Sequence, residues 1–164
     1  MDLLIEYLPL CWFKNHPWQL TGSLPFLKKN AIFGGILKFL MLANMIPVHE
    51  AFFAVLLNIG LVLGFVAAML SLNRTMHNHT QMVSALLFCE NVVLIFCVPV
   101  VAWFTVTYDW LSYTAFIGVI SWNFALITYI MKRVLAIDVF ASMVIAFLYF
   151  VSTYGIAYSF TLLF

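Results

Sequence analysis

Long apolar stretches, almost free of charged residues, occupy most of this chain and limit the folds open to it. A helix needs about 20 mainly apolar residues, within a range of about 17–25, to cross the hydrocarbon core of a bilayer. Of the 164 residues, 66% are hydrophobic and only 8% are charged. A water-soluble domain carries about 25% charged residues, with which it covers its surface. The sequence therefore predicts an integral membrane protein whose surface is covered mainly by lipid.

The apolar stretches predict an all-α, polytopic bundle of five transmembrane helices in one domain. The predicted spans of this domain, 31–164, are 31–48, 51–72, 82–105, 110–131 and 139–164. The chain between the second and third spans is the most polar part of the sequence. No repeat or low-complexity linker divides the bundle. The first span is at the short end of the range, and a re-entrant first segment would leave four spans.

Residues 1–30 precede the first span and form a separate N-terminal segment. They are largely apolar and contain Trp12 and Trp18. Tryptophan is enriched at the membrane–water interface, where one part of the ring system contacts lipid and the other contacts water. We therefore expect an amphipathic segment that lies in the headgroup region, with a disordered hydrophobic tail as the alternative.

The positions of lysine and arginine predict the orientation, because these residues are enriched in short cytoplasmic loops. Among them only Lys38 falls inside a predicted span. The others precede the first span or lie in the second and fourth connections; they are Lys14, Lys28, Lys29, Arg74, Lys132 and Arg133. Five spans place all of these on one face, whereas an even number would divide them. The sequence thus predicts a cytoplasmic N-terminus and a C-terminus outside.

Lys38, Glu90 and Asn123 are polar residues inside three different spans, and all three are predicted to lie about 10–12 Å from the cytoplasmic end. A charge within the hydrocarbon costs about 2.5–3.5 kcal/mol on insertion scales, so each needs a partner or a function. Three interpretations remain open. The favoured one is a Lys38–Glu90 ion pair that fixes helix register and is hydrogen-bonded by Asn91 or Asn123. The others are an ion or proton relay in which Glu90 titrates, and a Lys38 side chain that extends to the interface.

Four further residues are predicted to act in helix packing. Gly60 and Gly64 form a GxxxG motif in the second span, which lets two helix backbones approach closely. Packing inside the monomer is the favoured interpretation, and dimerisation is the alternative. Asn44 and Asn58 lie at similar depth on the two arms of the first hairpin, so we expect them to hydrogen-bond to each other.

The sequence lacks the motifs of several functional classes. It contains no nucleophile elbow, HExxH motif, phosphate-binding glycine loop or pair of carboxylates, so we expect no enzyme activity and no cofactor. His77 and His79 have no cysteine or carboxylate nearby, and no metal site is predicted. A net charge of +1 gives no reason to expect nucleic acid. The three cysteines, Cys11, Cys89 and Cys97, are too scattered for a disulfide framework.

Two stretches resemble the Yip1-domain family of small five-span membrane proteins. Residues 79–91 (HTQMVSALLFCEN) are similar to the entrance of that family's third helix. Trp122 and Asn123, followed by 130–135 (IMKRVL), are similar to its fourth helix and the loop after it. The Gly-Pro-Leu signature of eukaryotic members is absent before the first span. The resemblance therefore implies a member from the bacterial inner membrane rather than one that acts in vesicle traffic.

Because soluble mass and catalytic groups are both scarce, the favoured function is a non-enzymatic scaffold or assembly partner in a membrane complex. Its expected partners are the lipid bilayer and either other membrane proteins or a second copy of the chain. The alternative is a small transporter, or a transporter subunit, that uses the layer formed by Lys38, Glu90 and Asn123.

Overall fold

The computed structural model of the chain describes residues 2–107 and 109–161, so the end of the predicted fifth span, 162–164, lies outside the described part. The described residues contain no β-strand, and the predicted all-α class is confirmed. The helices are α1 (Asp2–Tyr7), α2 (Leu24–Ala43), α3 (Val48–Leu72), α4 (His79–Thr107), α5 (Trp110–Leu135), α6 (Val139–Phe150) and α7 (Ile156–Thr161). A π-helical turn, Val151–Gly155, joins α6 to α7.

Four helical segments are long and apolar enough to cross a membrane. They are Val48–Leu72, Met76–Thr107, Trp110–Leu135 and Val139–Ser159, which correspond to the second to fifth predicted spans. The helix α2 corresponds to the first predicted span. Its 20 residues cover about 30 Å, but they include three lysines, which set it apart from the other four.

The bounds of α2 differ from those of the predicted first span, 31–48. The helix begins earlier because Ser23 caps it: the Ser23 hydroxyl accepts a hydrogen bond from the Phe26 amide at 3.4 Å. A proline in the first turn, Pro25, suits this position since its nitrogen has no hydrogen to leave unpaired. The helix continues across residue 30 and ends at Ala43, so the predicted boundary between the N-terminal segment (1–30) and the transmembrane domain (31–164) is wrong.

The N-terminal segment folds onto the bundle, which contradicts the alternative of a disordered tail. Tyr7 and Leu10 are fully buried and belong to the main apolar core. The Tyr7 hydroxyl donates to the Thr21 carbonyl at 2.9 Å, and the Glu6 carboxylate accepts from the Thr21 amide at 2.6 Å. Burial, and then the charge of Glu6, raise the pKa of Tyr7 to about 12, so its hydroxyl remains a donor at neutral pH.

The helix α4 forms the centre of the bundle. Residues 82–91 are all buried, so this part of α4 is covered on every side. Its neighbours are α2, α5 and the N-terminal segment, with α3 also in contact. Glu90 and Asn91 are therefore buried in the bundle.

Cys11 and Cys89 come together where the N-terminal segment packs on α4. Their sulfur atoms lie 3.6 Å apart although 78 residues separate them in sequence, and both side chains are buried. A disulfide requires about 2.0 Å, so a small movement would close the bond. The hydrogen bond with Cys89 lowers the pKa of the Cys11 thiol, while burial opposes this shift.

This contact allows a direct test of the docked N-terminal segment. Diamide takes two electrons and two protons from a thiol pair, and we expect it to join Cys11 to Cys89 within one chain. Maleimide labelling in denaturant should then count one free thiol instead of three. Cys97→Ser should keep the cross-link and Cys11→Ser should abolish it. Three free thiols after prolonged treatment of the folded protein would contradict the docking.

Candidate functional site

Lys38 and Glu90 form an ion pair between α2 and α4, as their predicted pairing requires. The Lys38 Nζ lies 2.9 Å from the Glu90 Oε2, and the two side chains are 5% and 1% exposed. The Lys38 side chain therefore does not extend to the interface, and that interpretation is wrong. Lys38 lies 14 residues beyond the first residue of α2, and Glu90 lies 11 beyond that of α4. Glu90 is thus three residues nearer to the start of its helix than Lys38 is. Helical side chains point back toward the N-terminus, so the long Lys38 side chain can reach a partner at that level.

Side chains from two other helices complete the ion pair. Lys38 donates a hydrogen bond to the Asn58 Oδ1 of α3 at 2.7 Å. The Tyr149 hydroxyl of α6 donates to the second oxygen of Glu90. The Tyr154 ring lies 5.3 Å from the Lys38 ammonium, within the range of a cation–π interaction. We call these five residues the polar network. A buried ion pair needs such additional hydrogen bonds, because water no longer solvates its charges.

The π-helical turn, Val151–Gly155, supplies two members of the polar network from one short segment. Tyr149 and Tyr154 are five residues apart, a spacing that puts side chains on different faces of a regular α-helix. The wider π turn, with its i→i+5 hydrogen bonds, brings both toward Lys38 and Glu90. The Asn58 Nδ2 donates to the Thr153 carbonyl at 2.9 Å, which fixes the turn against α3. The apolar pattern gave no signal for this turn, and both tyrosines were missed.

Two of the predicted polar contacts differ in the structure. Asn123 makes no hydrogen bond to Lys38 or Glu90 within residues 2–107 and 109–161, and its Oδ1 is buried without a partner there. Its amide instead faces the Tyr154 hydroxyl, at the edge of the polar network. The predicted bond between Asn44 and Asn58 is wrong. Asn44 is exposed at the end of α2 and donates to the Leu40 carbonyl at 2.7 Å, while Asn58 is engaged by the charged ammonium.

A second polar contact between α2 and α4 lies beside the ion pair. The Asn91 Nδ2 donates to the Asn30 carbonyl at 2.9 Å. A Cβ at Gly34 would overlap the Asn91 Oδ1, so any larger residue at this crossing would displace the Asn91 side chain. Asn30, Gly34 and Lys38 are spaced four apart and are the buried residues of α2. The face that α2 presents to the protein is therefore polar or small.

Gly60 and Gly64 lie on an open face of α3. A Cβ built on either glycine meets no atom within 4 Å, and both residues are exposed. Ala68, four residues further, is also exposed. We call these three residues the small-residue face of α3. The favoured interpretation, that the GxxxG motif packs inside the monomer, is wrong because no other helix of the described chain covers it.

No group of three or more histidine, cysteine, aspartate or glutamate side chains lies together in the ranges 2–107 and 109–161. An apolar pocket of about 290 Å³ adjoins the polar network, with Lys38, Asn58 and Tyr154 among its lining residues. No protein-family model, curated protein or solved structure matches the chain. The polar network, the pocket and the small-residue face are therefore the features that bear on the function of the chain.

Removing Glu90 should destabilise the bundle, because Lys38 would then be buried without its counter-ion. We expect Glu90→Ala to lower the free energy of unfolding by about 3–5 kcal/mol, as for other broken buried pairs. Asn44→Ala is the control; it removes one exposed hydrogen bond and should cost no more than about 1 kcal/mol. Thermal unfolding in mild detergent compares the two variants. Equal melting temperatures would contradict a stabilising role for the ion pair.

Proposed function

We propose that this chain is a non-enzymatic, multi-pass membrane protein that assembles with another membrane-protein chain through the small-residue face of α3. The exposure of Gly60 and Gly64 carries this proposal. A glycine in a helix interior is less favourable than alanine by about 1 kcal/mol. No contact within the described chain offsets that cost. In membranes, small residues four apart allow a second helix to pack at short distance, and such packing offsets it.

The distribution of side chains on α2 supports a fifth span. Its buried residues are polar or small, whereas Ile32, Ile36 and Leu40 on its outer side are exposed. This arrangement is the reverse of that in a water-soluble protein and suits a helix surrounded by lipid. With five spans, the lysine and arginine residues outside the hydrocarbon fall on one face. The N-terminus is then cytoplasmic and the C-terminus lies outside.

Membership of a Yip1-like family and a location in the bacterial inner membrane are parts of the same proposal. They depend on the similarity of residues 79–91 and 130–135 to that family and on the five-span topology. Most of the described residues lie in apolar helices, so lipid-facing helix surfaces are the main surfaces that they offer to partners. Assembly within the membrane is consistent with such a family.

A small transporter, or a transporter subunit, is the second candidate, and the pocket of about 290 Å³ beside Lys38 favours it. The polar network would then form part of the path, with Glu90 as its carboxylate. We rank assembly first because both charges already have hydrogen-bonded partners. Ion or proton flux into vesicles tests the candidate. Absence of flux, or equal flux with wild-type and Glu90→Gln protein, would count against transport through this network.

Bulky residues on the small-residue face should prevent assembly without unfolding the monomer. A leucine at Gly60 or Gly64 enters open space and has a higher helix propensity than glycine, so each variant should melt at or above the temperature of the wild type. A second copy of the chain is the simplest partner, because it presents the same face. We expect Gly60→Leu and Gly64→Leu to weaken self-association at least about tenfold, which corresponds to about 1.4 kcal/mol. Energy transfer between donor-labelled and acceptor-labelled copies in vesicles measures the change.

Gly118→Leu is the matched control, because Gly118 lies on α5 and is equally open. It should leave self-association unchanged. If the wild type is monomeric in vesicles, purification from native membranes must yield a partner that the two α3 variants lose. A wild-type monomer without any such partner would contradict the proposal.

A further inference from the structure

A cleft of about 710 Å³ lies between the N-terminal segment, the start of α2 and the middle of α4. Its outer wall is formed by the first residues of the chain, including Leu4 and Leu8. The segment behind this wall is anchored to the bundle through Tyr7 and Cys11, both fully buried. The cleft is therefore bounded on two sides by the packed bundle and on the third by a docked segment.

The lining of the cleft changes from polar to apolar along its length. Ser23 and Lys29 lie at or near the start of α2. Phe33 is one turn further along α2, and Ile95 lies 16 residues beyond the start of α4. At about 1.5 Å per residue, the cleft extends from the end of the helices well into the apolar region. A molecule that fits it has a polar end and a hydrocarbon chain.

The charge at the polar end indicates the sign of the ligand. Lys29 is exposed at the rim of the cleft, and its neighbour Lys28 is also exposed. None of the described residues that line the cleft is acidic. The positive end of the α2 dipole lies beside Ser23 and adds to the same field. An anionic headgroup is therefore favoured over a zwitterionic or cationic one.

We propose that this cleft binds one anionic phospholipid, with its phosphate beside Lys29 and an acyl chain along Phe33 and Ile95. The bound lipid would contact the N-terminal segment on one side and α2 and α4 on the other. It would join the segment to the bundle in addition to the contacts of Tyr7 and Cys11. The cleft is separate from the small-residue face of α3, so this proposal and the proposed assembly can fail independently.

Lipid titration of the intact protein tests the site. Native mass spectrometry in mild detergent compares phosphatidylglycerol with phosphatidylcholine of the same acyl chains. We expect the protein to retain phosphatidylglycerol more strongly than phosphatidylcholine. Lys29→Gln should lower the affinity for phosphatidylglycerol about fivefold, which is the effect of one cation near a lipid headgroup. Lys132→Gln is the matched control, because it removes an equally exposed lysine that does not line the cleft. Glycerol phosphate, which has no acyl chain, should show no detectable binding.

Two results would overturn the proposal. Equal retention of the two lipids would exclude an anionic site, and equal losses for Lys29→Gln and Lys132→Gln would indicate general attraction to the charged face. Both lysines are exposed, so the variants should fold, and their melting temperatures without added lipid check this. Ile95→Trp provides a second measurement. The larger side chain reduces the volume at the apolar end of the cleft, so it should weaken the binding of phosphatidylglycerol without altering the charge of the protein.

Discussion

Lys38 and Glu90 each carry a charge that hydrocarbon disfavours, and the ion pair between them is the contact on which the arrangement of the helices depends. Apolar packing alone selects an arrangement weakly in a bilayer, because lipid chains contact a leucine as well as another helix does. The ion pair and its hydrogen bonds to Asn58 and Tyr149 are made only when α2, α3, α4 and α6 are in one register. A shift of any of these helices would leave a charge or a donor unpaired in the interior.

The same requirement accounts for the glycine at the crossing of α2 and α4. Gly34 leaves room for the Asn91 side chain, which a Cβ at this position would overlap, and Lys38 pairs with Glu90 at the same crossing of α2 and α4. Gly60 and Gly64 have the opposite surroundings, since nothing in the described chain approaches them. The sequence does not distinguish these glycines. Gly34 of α2 lies at a contact inside the chain, whereas Gly60 and Gly64 of α3 lie on an open face.

Much of the fold follows from hydropathy, because a helix of spanning length needs a continuous apolar stretch and few charges. Lys38 and Glu90 could be paired from sequence because two isolated charges in such stretches have few other partners. Tyr149 and Tyr154 could not be found, since their spacing is uninformative until the π turn is known. The sequence also gave no sign that Asn44 would bond to its own helix, or that Cys11 would reach Cys89 across 78 residues. Such contacts depend on tertiary packing, which periodicity does not encode.

Three consecutive residues of α4 contact the N-terminal segment and two different positions of α2. Cys89 contacts Cys11 of the N-terminal segment, Glu90 binds Lys38, and Asn91 donates to Asn30. Successive side chains of a helix point about 100° apart, so three neighbours in sequence reach three separate surroundings. Movement of this turn would disturb the docked segment and both contacts with α2 together. The side chains of this turn are thus committed to contacts inside the chain, and the surfaces proposed for binding, the cleft beside Lys29 and the small-residue face of α3, lie outside these contacts.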